Sequence, residues 1–440
     1  MAESQFWDEP IDTGQIPDSE SRFDVIVVGG GPGGSAAAGY LAQAGKKVLL
    51  IEKEIWPRDK ICGDAVGGKS LSHVKALGLK EELETTPHFR VTGITFSSPN
   101  GVHVNIPLPE EDVQRLEAGY ALPRKQFDWL LFRRCSEIVR GAGGAVIQGA
   151  DVREVFVENK RITGVSCRIG GRKGTMYNYH SDWTIGAGGY LCPVAKTVVK
   201  DVHGKEMVNL SHYCGGYREY WTGVGGCEGD AGDIEIHFVD SVIPGYFWLF
   251  PLGNGMVNVG IGMVISELNK QNKKLKAMQK DVIENHRIFK DRFKNASLVP
   301  GSEKGWQLPF GSPRKKEESQ PRIMHAEGCL LVGDAASLVD PFSGEGVGNA
   351  LLSAEVACKH ILENRGGDAY QKEIWSLLGP ELTNSYKMQR MSKRGWLLNW
   401  FIKKADKKPK LQEMMTEMIA SKEAQENLHS KWFLVKTLFF

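Results

Sequence analysis

The stretch Gly29-Gly30-Gly31-Pro32-Gly33-Gly34 constrains this chain more than any other. It directly follows an apolar, β-branched run at Phe23–Val28, and Ser35–Ala44 after it has helical composition, closed by Gly45 before a second apolar run at Lys47–Ile51. Strand, glycine turn, helix and strand predict a βαβ unit. Gly29, Gly31 and Gly34 carry the G-x-G-x-x-G spacing, with Gly33 inside it. The first glycine permits the tight turn, the second lets the backbone approach a pyrophosphate, and the third allows the helix to pack closely on the strand, while helix N-terminal amides face the phosphate charge. Glu52, with Lys53 beside it, ends the second run about 20 residues further on, where a carboxylate accepts hydrogen bonds from ribose hydroxyls and repels a 2′-phosphate. These residues predict a dinucleotide site and leave NAD and FAD undistinguished.

A second segment separates them. Leu330-Leu331-Val332-Gly333-Asp334 places an acid just past a short buried-strand pattern, and Pro341-Phe342-Ser343-Gly344-Glu345-Gly346-Val347-Gly348 opens a helix expected over Gly346–Glu363. An aspartate there bonds a ribityl chain. Helix N-terminal amides after Gly344, including those at Gly346 and Val347, meet the O2/N1 edge of a flavin and stabilise its reduced anion. The cofactor expected is therefore FAD.

This combination resembles the FAD-dependent superfamily of p-hydroxybenzoate hydroxylase and, more narrowly, the geranylgeranyl reductase family. Lys60-Ile61-Cys62-Gly63-Asp64 is similar to that family's K-x-C-G-D loop near the flavin, and Tyr246-Phe247-Trp248-Leu249-Phe250-Pro251 to its Y-x-W-x-F-P sequence, followed by Gly253, Gly255, Gly260 and Gly262. The resemblance covers roughly Phe23 to Ile361. It implies that Arg124 reaches the FAD, that Val152 lies at a backbone contact to adenine, and that Cys62 and Gly63 border the flavin. One departure stands out. Where the hydroxylases carry G-A-D-G-x-x-S, this chain has Gly186-Ala187-Gly188-Gly189-Tyr190-Leu191-Cys192, without the acid or the serine. That segment handles NAD(P)H in the hydroxylases, so the change weakens a hydroxylase reading and leaves NAD(P)H or a ferredoxin as the external reductant, the latter an electron-donor protein partner.

The reaction implied by the resemblance is hydride transfer from N5 of reduced FAD to one carbon of an isoprenoid alkene, with a proton supplied to the other. Cys62 is the first candidate for the proton, because a thiol with its ordinary pKa of about 8.5 is protonated at neutral pH. Asp64 is expected to position the loop or relay protons. Tyr246, Trp248 and Phe250 alternate onto one face of a strand, with Pro251 ending it, and are expected to line an apolar substrate tunnel. The alternatives are an aromatic hydroxylase, a halogenase, whose W-x-W-x-I-P signature is absent, and a membrane-associated flavoprotein that does not turn over.

Composition sets the outer bounds. A length of 440 residues exceeds the roughly 250–300 that one core supports. The expected fold is α/β (α+β overall): a discontinuous Rossmann-like FAD-binding domain over 23–88, 121–200 and 320–367, an antiparallel substrate domain over 89–120 and 201–319, and a helical region over 368–440. Residues 1–22, acidic and without an apolar run, are expected to be a flexible leader and no targeting signal. A charge balance of 55 basic against 53 acidic residues argues against nucleic acid as a partner. The eight scattered cysteines show neither metal-ligand nor disulfide spacing and fit a cytoplasmic setting. No apolar stretch is long enough to span a bilayer. Trp396, Trp400, Lys403, Lys404, Lys407, Lys408 and Lys410, then Trp432–Val435 and Leu438–Phe440, suit a peripheral membrane contact.

Overall fold

The computed structural model describes residues 8–114, 119–314, 322–408 and 412. In chain order the first half holds β1 (Ser21–Val28), α1 (Pro32–Gln43), β2 (Val48–Ile51), β3 (Ala65–Val66), α2 (Gly68–Ala76), α3 (Lys80–Thr85), β4 (Phe89–Ser97), β5 (His103–Pro107), α4 (Glu110–Gln114), β6 (Tyr120–Ala121), α5 (Arg124–Gly141), β7 (Ala145–Ile147), β8 (Ala150–Glu158), β9 (Arg161–Ile169), β10 (Thr175–Gly186) and α6 (Pro193–Lys196). The second half holds β11 (Tyr213–Thr222), β12 (Ala231–His237), β13 (Tyr246–Pro251), β14 (Met256–Val264), α7 (Ile265–Lys270), α8 (Leu275–Asn285), β15 (Ser297–Leu298), β16 (Lys304–Pro309), β17 (His325–Ala326), β18 (Cys329–Leu331), α9 (Val347–Leu362), α10 (Gly367–Met391) and α11 (Gly395–Ala405).

Two sheets organise these elements. The first has the order β17-β18-β10-β1-β2-β7, parallel except at β17, with the β8–β9 hairpin added along the start of β10. Asn159 and Lys160 turn that hairpin, both with positive φ, at 50° and 67°. The second has the order β15-β11-β14-β13-β12-β4-β6-β3, antiparallel except where β12 runs parallel to β4. Along β13 the side chains alternate cleanly: Phe247 and Leu249 enter one apolar cluster with α8, while Trp248 and Phe250 enter another with Leu398 and Ile402 of α11.

Some expectations change. Two helices, not one, follow β14, because Asn272 takes φ 49° and closes α7 before α8 begins. The first helix starts at Pro32 rather than Ser35, since proline supplies the helical φ at the opening position. From Asp8 onward the segment expected to be a flexible leader is docked: Ile11 is buried, the Trp129 indole donates to the Glu9 carbonyl at 2.9 Å, and Tyr179 donates to Pro17 at 3.0 Å. Burying Ile11 and satisfying two indole and phenol donors offsets the entropy of ordering this segment. The tail candidates Lys410, Trp432–Val435 and Leu438–Phe440 lie outside the described residues. Among the described residues no helix is long and apolar enough to cross a membrane.

Candidate functional site

The glycine turn is built on contacts that tolerate no side chain. A Cβ on Gly29 (φ 111°) would lie 2.5 Å from the Ala187 carbonyl oxygen, and one on Gly34 would lie 1.7 Å from that of Gly29. Gly33 brings α1 against α9, its Cβ position only 3.2 Å from the Ala350 carbonyl. At Gly31, which caps α1, the space is open, the nearest atom being Arg58 Nη2 at 3.7 Å. Helix amides and a guanidinium thus border one cradle suited to a pyrophosphate. Glu52 is buried at the end of β2, accepting from the Gly30 amide at 2.6 Å and the Glu54 amide at 2.9 Å, which still leaves lone pairs for ribose hydroxyls. Lys53 beside it is exposed, and Val152 lies on β8, whose Ala150 amide bonds the Glu52 carbonyl. Arg58 stacks over the Trp56 ring at 4.2 Å and pairs with Asp128 at 3.3 Å. No sequence pattern singled it out.

The second segment forms the facing wall. Asp334 sits in a short turn after β18, with Lys60 Nζ 3.6 Å away, so the Lys60–Asp64 loop is tied to it. Gly344 takes φ 76°, and the Tyr246 hydroxyl donates to the preceding Ser343 carbonyl. Gly346 caps α9 and Val347 opens it, but the Gly348 amide is taken by Glu345 Oε1 at 2.6 Å. Glu345 therefore occupies one of the helix-end amides expected to face a flavin.

The Lys60–Asp64 loop lies directly on β13. A Cβ on Gly63 would fall 2.8 Å from the Phe250 ring, so glycine lets the loop touch that ring. Asp64 is fully buried at φ 66°, an unusual backbone state for a non-glycine residue, held by three donors: the Arg124 amide at 3.0 Å, Tyr220 Oη at 2.7 Å and Asn258 Nδ2 at 2.7 Å. Burial pushes its carboxyl up to about 6 against the opposing pull of Arg218 and these donors. Asn258 also donates to the Cys62 carbonyl at 2.7 Å and accepts from the Trp248 indole at 2.8 Å. That indole lies over Gly260, where a Cβ would come within 2.0 Å of it. Cys62 is half-buried, its side chain beside the Arg124 guanidinium, which is otherwise held by Asp128 at 2.7 and 2.8 Å. Pro251 is buried at the end of β13.

The expected residues therefore meet as two groups. Gly29–Gly34, Glu52, Lys53 and Val152 gather at the ends of β1, β2 and β8, whereas Cys62–Asp64 lie against β13 (Tyr246–Pro251) with Arg124 behind them and Gly344 meets Tyr246; Gly346 lies near Asp334, itself tied to the loop through Lys60, and Val347 packs into the first core. Beyond these the structure adds Arg58, Lys60, Tyr220, Asn258 and Glu345. In the altered Gly186–Cys192 segment, Tyr190 packs edge-on against Trp306 at 5.1 Å.

A family model described as "FAD binding domain" matches residues 22–375. Digeranylgeranylglycerophospholipid reductase 1 of Methanococcoides burtonii is 30% identical over 83% of this chain and 83% of its own length. Menaquinone reductase of Mycolicibacterium smegmatis is 28% identical over 81% of this chain and 80% of its own. Among solved structures, a geranylgeranyl bacteriochlorophyll reductase-like protein from Thermoplasma acidophilum superposes with TM-score 0.72 at 22% identity, covering 93% of this chain and 99% of the other. A myxobacterial chondrochloren halogenase superposes with TM-score 0.68 at 21% identity, covering 94% and 88%. These structural likenesses concern the fold.

Proposed function

We propose, from the premise that this chain belongs to the geranylgeranyl reductase family of FAD-dependent oxidoreductases, that it saturates carbon–carbon double bonds in the prenyl chain of a lipid or quinone. The observation that carries this reading is the aromatic face of β13: Tyr246 hydrogen-bonded to Ser343, Trp248 fixed by Asn258, and Phe250 in contact with Gly63. It supplies an apolar surface beside the Lys60–Asp64 loop and the Ser343–Gly344 turn, which is what an uncharged alkene requires and what a polar substrate does not.

In this reading Gly29, Gly31, Gly33, Gly34, Glu52, Lys53, Arg58 and Val152 hold the adenosine diphosphate half of FAD. Asp334, Gly344, Gly346, Val347, Cys62, Gly63 and Arg124 hold the flavin half. Bound and reduced, FAD supplies a hydride to one alkene carbon. Tyr246, Trp248, Phe250 and Pro251 line the prenyl chain and exclude water, so that the reacting carbons are held in place. The Cys62 thiol donates the proton, with the Arg124 guanidinium beside it to stabilise the thiolate left behind. Electrons arrive from NAD(P)H or a ferredoxin. The exposed Trp396 on α11, with Lys403 and Lys404 following, supports a peripheral contact with an anionic bilayer that stores the substrate.

Anaerobic mixing of the reduced holoprotein with a panel of geranylgeranyl lipids and menaquinones tests the function. Reoxidation of the flavin accompanied by a mass gain of two hydrogens per reacted double bond is the expected result. A flavin that stays reduced with every prenyl lipid overturns the reading.

A further inference from the structure

Each saturated double bond consumes one proton from solvent, yet the site that performs the step must exclude water. The geometry points to Tyr220 and Asp64 as the proton inlet, leading from a solvent-open cleft to the Cys62 loop; this inference rests on the reductase reading above. The cleft, of about 280 Å³, is open to solvent on one side; Asp59, Lys125, Gln126, Tyr220 and Asn254 give it polar groups among an otherwise apolar lining that includes Leu252 and Met256, and it is roomy enough for several waters. Tyr220 connects it inward, donating to Asp64 Oδ2 at 2.7 Å. Asp64 itself is wholly buried and two residues from Cys62 in the same loop. Arg124 closes the arrangement, its amide on Asp64 Oδ1 and its guanidinium beside the Cys62 sulfur.

The groups facing Asp64 determine how the inlet behaves. Arg218 and Tyr220 approach from β11, Arg124 with Asp128 from α5 and Asn258 from β14, while Asp59 and Lys304 lie behind Arg218 at 3.0 and 2.8 Å from their partners. Burial raises the Asp64 carboxyl to about 6, close enough to neutrality for it to take up and release a proton within a turnover. The same burial, with Asp64 next to it, raises the Tyr220 phenol well above its ordinary value, so Tyr220 stays neutral and passes protons by exchange rather than by ionising.

The relay balances as follows. The Cys62 S–H bond breaks as a C–H bond forms at the alkene, and the thiolate takes the proton of the Asp64 carboxylic acid. The Asp64 carboxylate then takes the Tyr220 hydroxyl proton as the Tyr220 oxygen takes one from water in the cleft, which is replenished from bulk. One proton enters per double bond, and no electron moves along the path.

The test is Tyr220→Phe, which removes the hydroxyl and keeps the ring that stacks on Arg218. In the FAD-loaded variant, lipid reduction is expected to fall about tenfold to a hundredfold, with an enlarged solvent deuterium isotope effect. The second measurement needs no substrate: after mixing into deuterated buffer at pH 5, infrared difference spectra follow proton–deuteron exchange at the Asp64 carboxyl, its band identified by its loss in Asp64→Asn. Exchange slowed in Tyr220→Phe supports the inlet, and exchange at the original rate overturns it, whether or not any lipid is reduced. Unchanged exchange with intact lipid reduction sinks the inlet alone, whereas slowed exchange with no lipid reduced by either protein sinks the reductase reading alone.

Discussion

Single residues at this site are constrained by what touches them. Cys62 is the clearest case, because its neighbours suit a proton donor: an adjacent guanidinium to stabilise the thiolate and a loop anchored from below by Asn258. Cys62→Ala should retain bound FAD and lose about 100-fold or more of lipid reduction, the usual contribution of a positioned acid; stopped-flow reoxidation of the reduced protein by substrate measures it. Gly260 is constrained from the other side. A methyl group there would sit 2.0 Å from the Trp248 ring and push the indole off Asn258, which also holds Asp64. Gly260→Ala should therefore destabilise the protein by about 1–3 kcal/mol and alter the Trp emission spectrum, as read in urea titrations followed by fluorescence. The glycine spacing and the cysteine were legible as residues. Asp64 was legible as a residue that would position the loop or relay protons, but its partners were not, because they come from positions 124, 220 and 258, and only the folded sheet brings them within 3.0 Å.

At the level of elements, the second sheet is pinned away from the site by a buried polar network. Arg292 forms a two-pronged pair with Glu235 on β12 at 2.6 and 2.7 Å; His237 bonds Glu235 at 2.9 Å and reaches Ser97 on β4 at 2.8 Å. Burial would raise the Glu235 carboxyl, but the hydrogen bonds from Arg292 and His237 overcome it and hold it at about 2. A carboxyl depressed in the folded state stabilises the fold above its unfolded value near 4.5 and loses that contribution as pH falls toward 2. Between those limits the loss should be on the order of 3 kcal/mol, visible as a falling denaturation midpoint in acid. Arg292→Met should cost about 3–5 kcal/mol at neutral pH by leaving Glu235 buried without its cation, and should flatten the acid dependence. Elements were legible where their pattern was local. The alternation on β13 marked its two faces, whereas β10, with Asn178, His180, Ser181 and Asp182 in its run, has no periodic signature even though it lies beside β1 in the centre of the first sheet.

Across the whole molecule, the C-terminal helices join the two sheets. Tyr370 on α10 donates to the Leu331 carbonyl of β18 at 2.7 Å, and Ile374 and Leu382 are fully buried against the first core. Leu398 and Ile402 on α11 pack into the cluster that contains Trp248 and Phe250. A chain ending at Gly366 should consequently lose near-ultraviolet circular dichroism and cooperative unfolding. A chain ending at Lys408 should keep both, and comparing its flotation on anionic vesicles with that of the full chain tests whether the lysine-rich, aromatic tail adds membrane affinity. The sequence alone determined that a strand–glycine turn–helix unit would form, that a turn would follow the short strand before Asp334 and a helix the Gly344 segment, and that β13 would present one aromatic face, because each depends on neighbours within a few residues. Only the tertiary structure decided how these parts face one another: that the Lys60–Asp64 loop lies on Phe250, that Asp64 opens through Tyr220 toward a cleft, and that the segment before β1 is docked. Those outcomes depend on burial and on hydrogen bonds between residues far apart in the chain, and no local pattern encodes such distances.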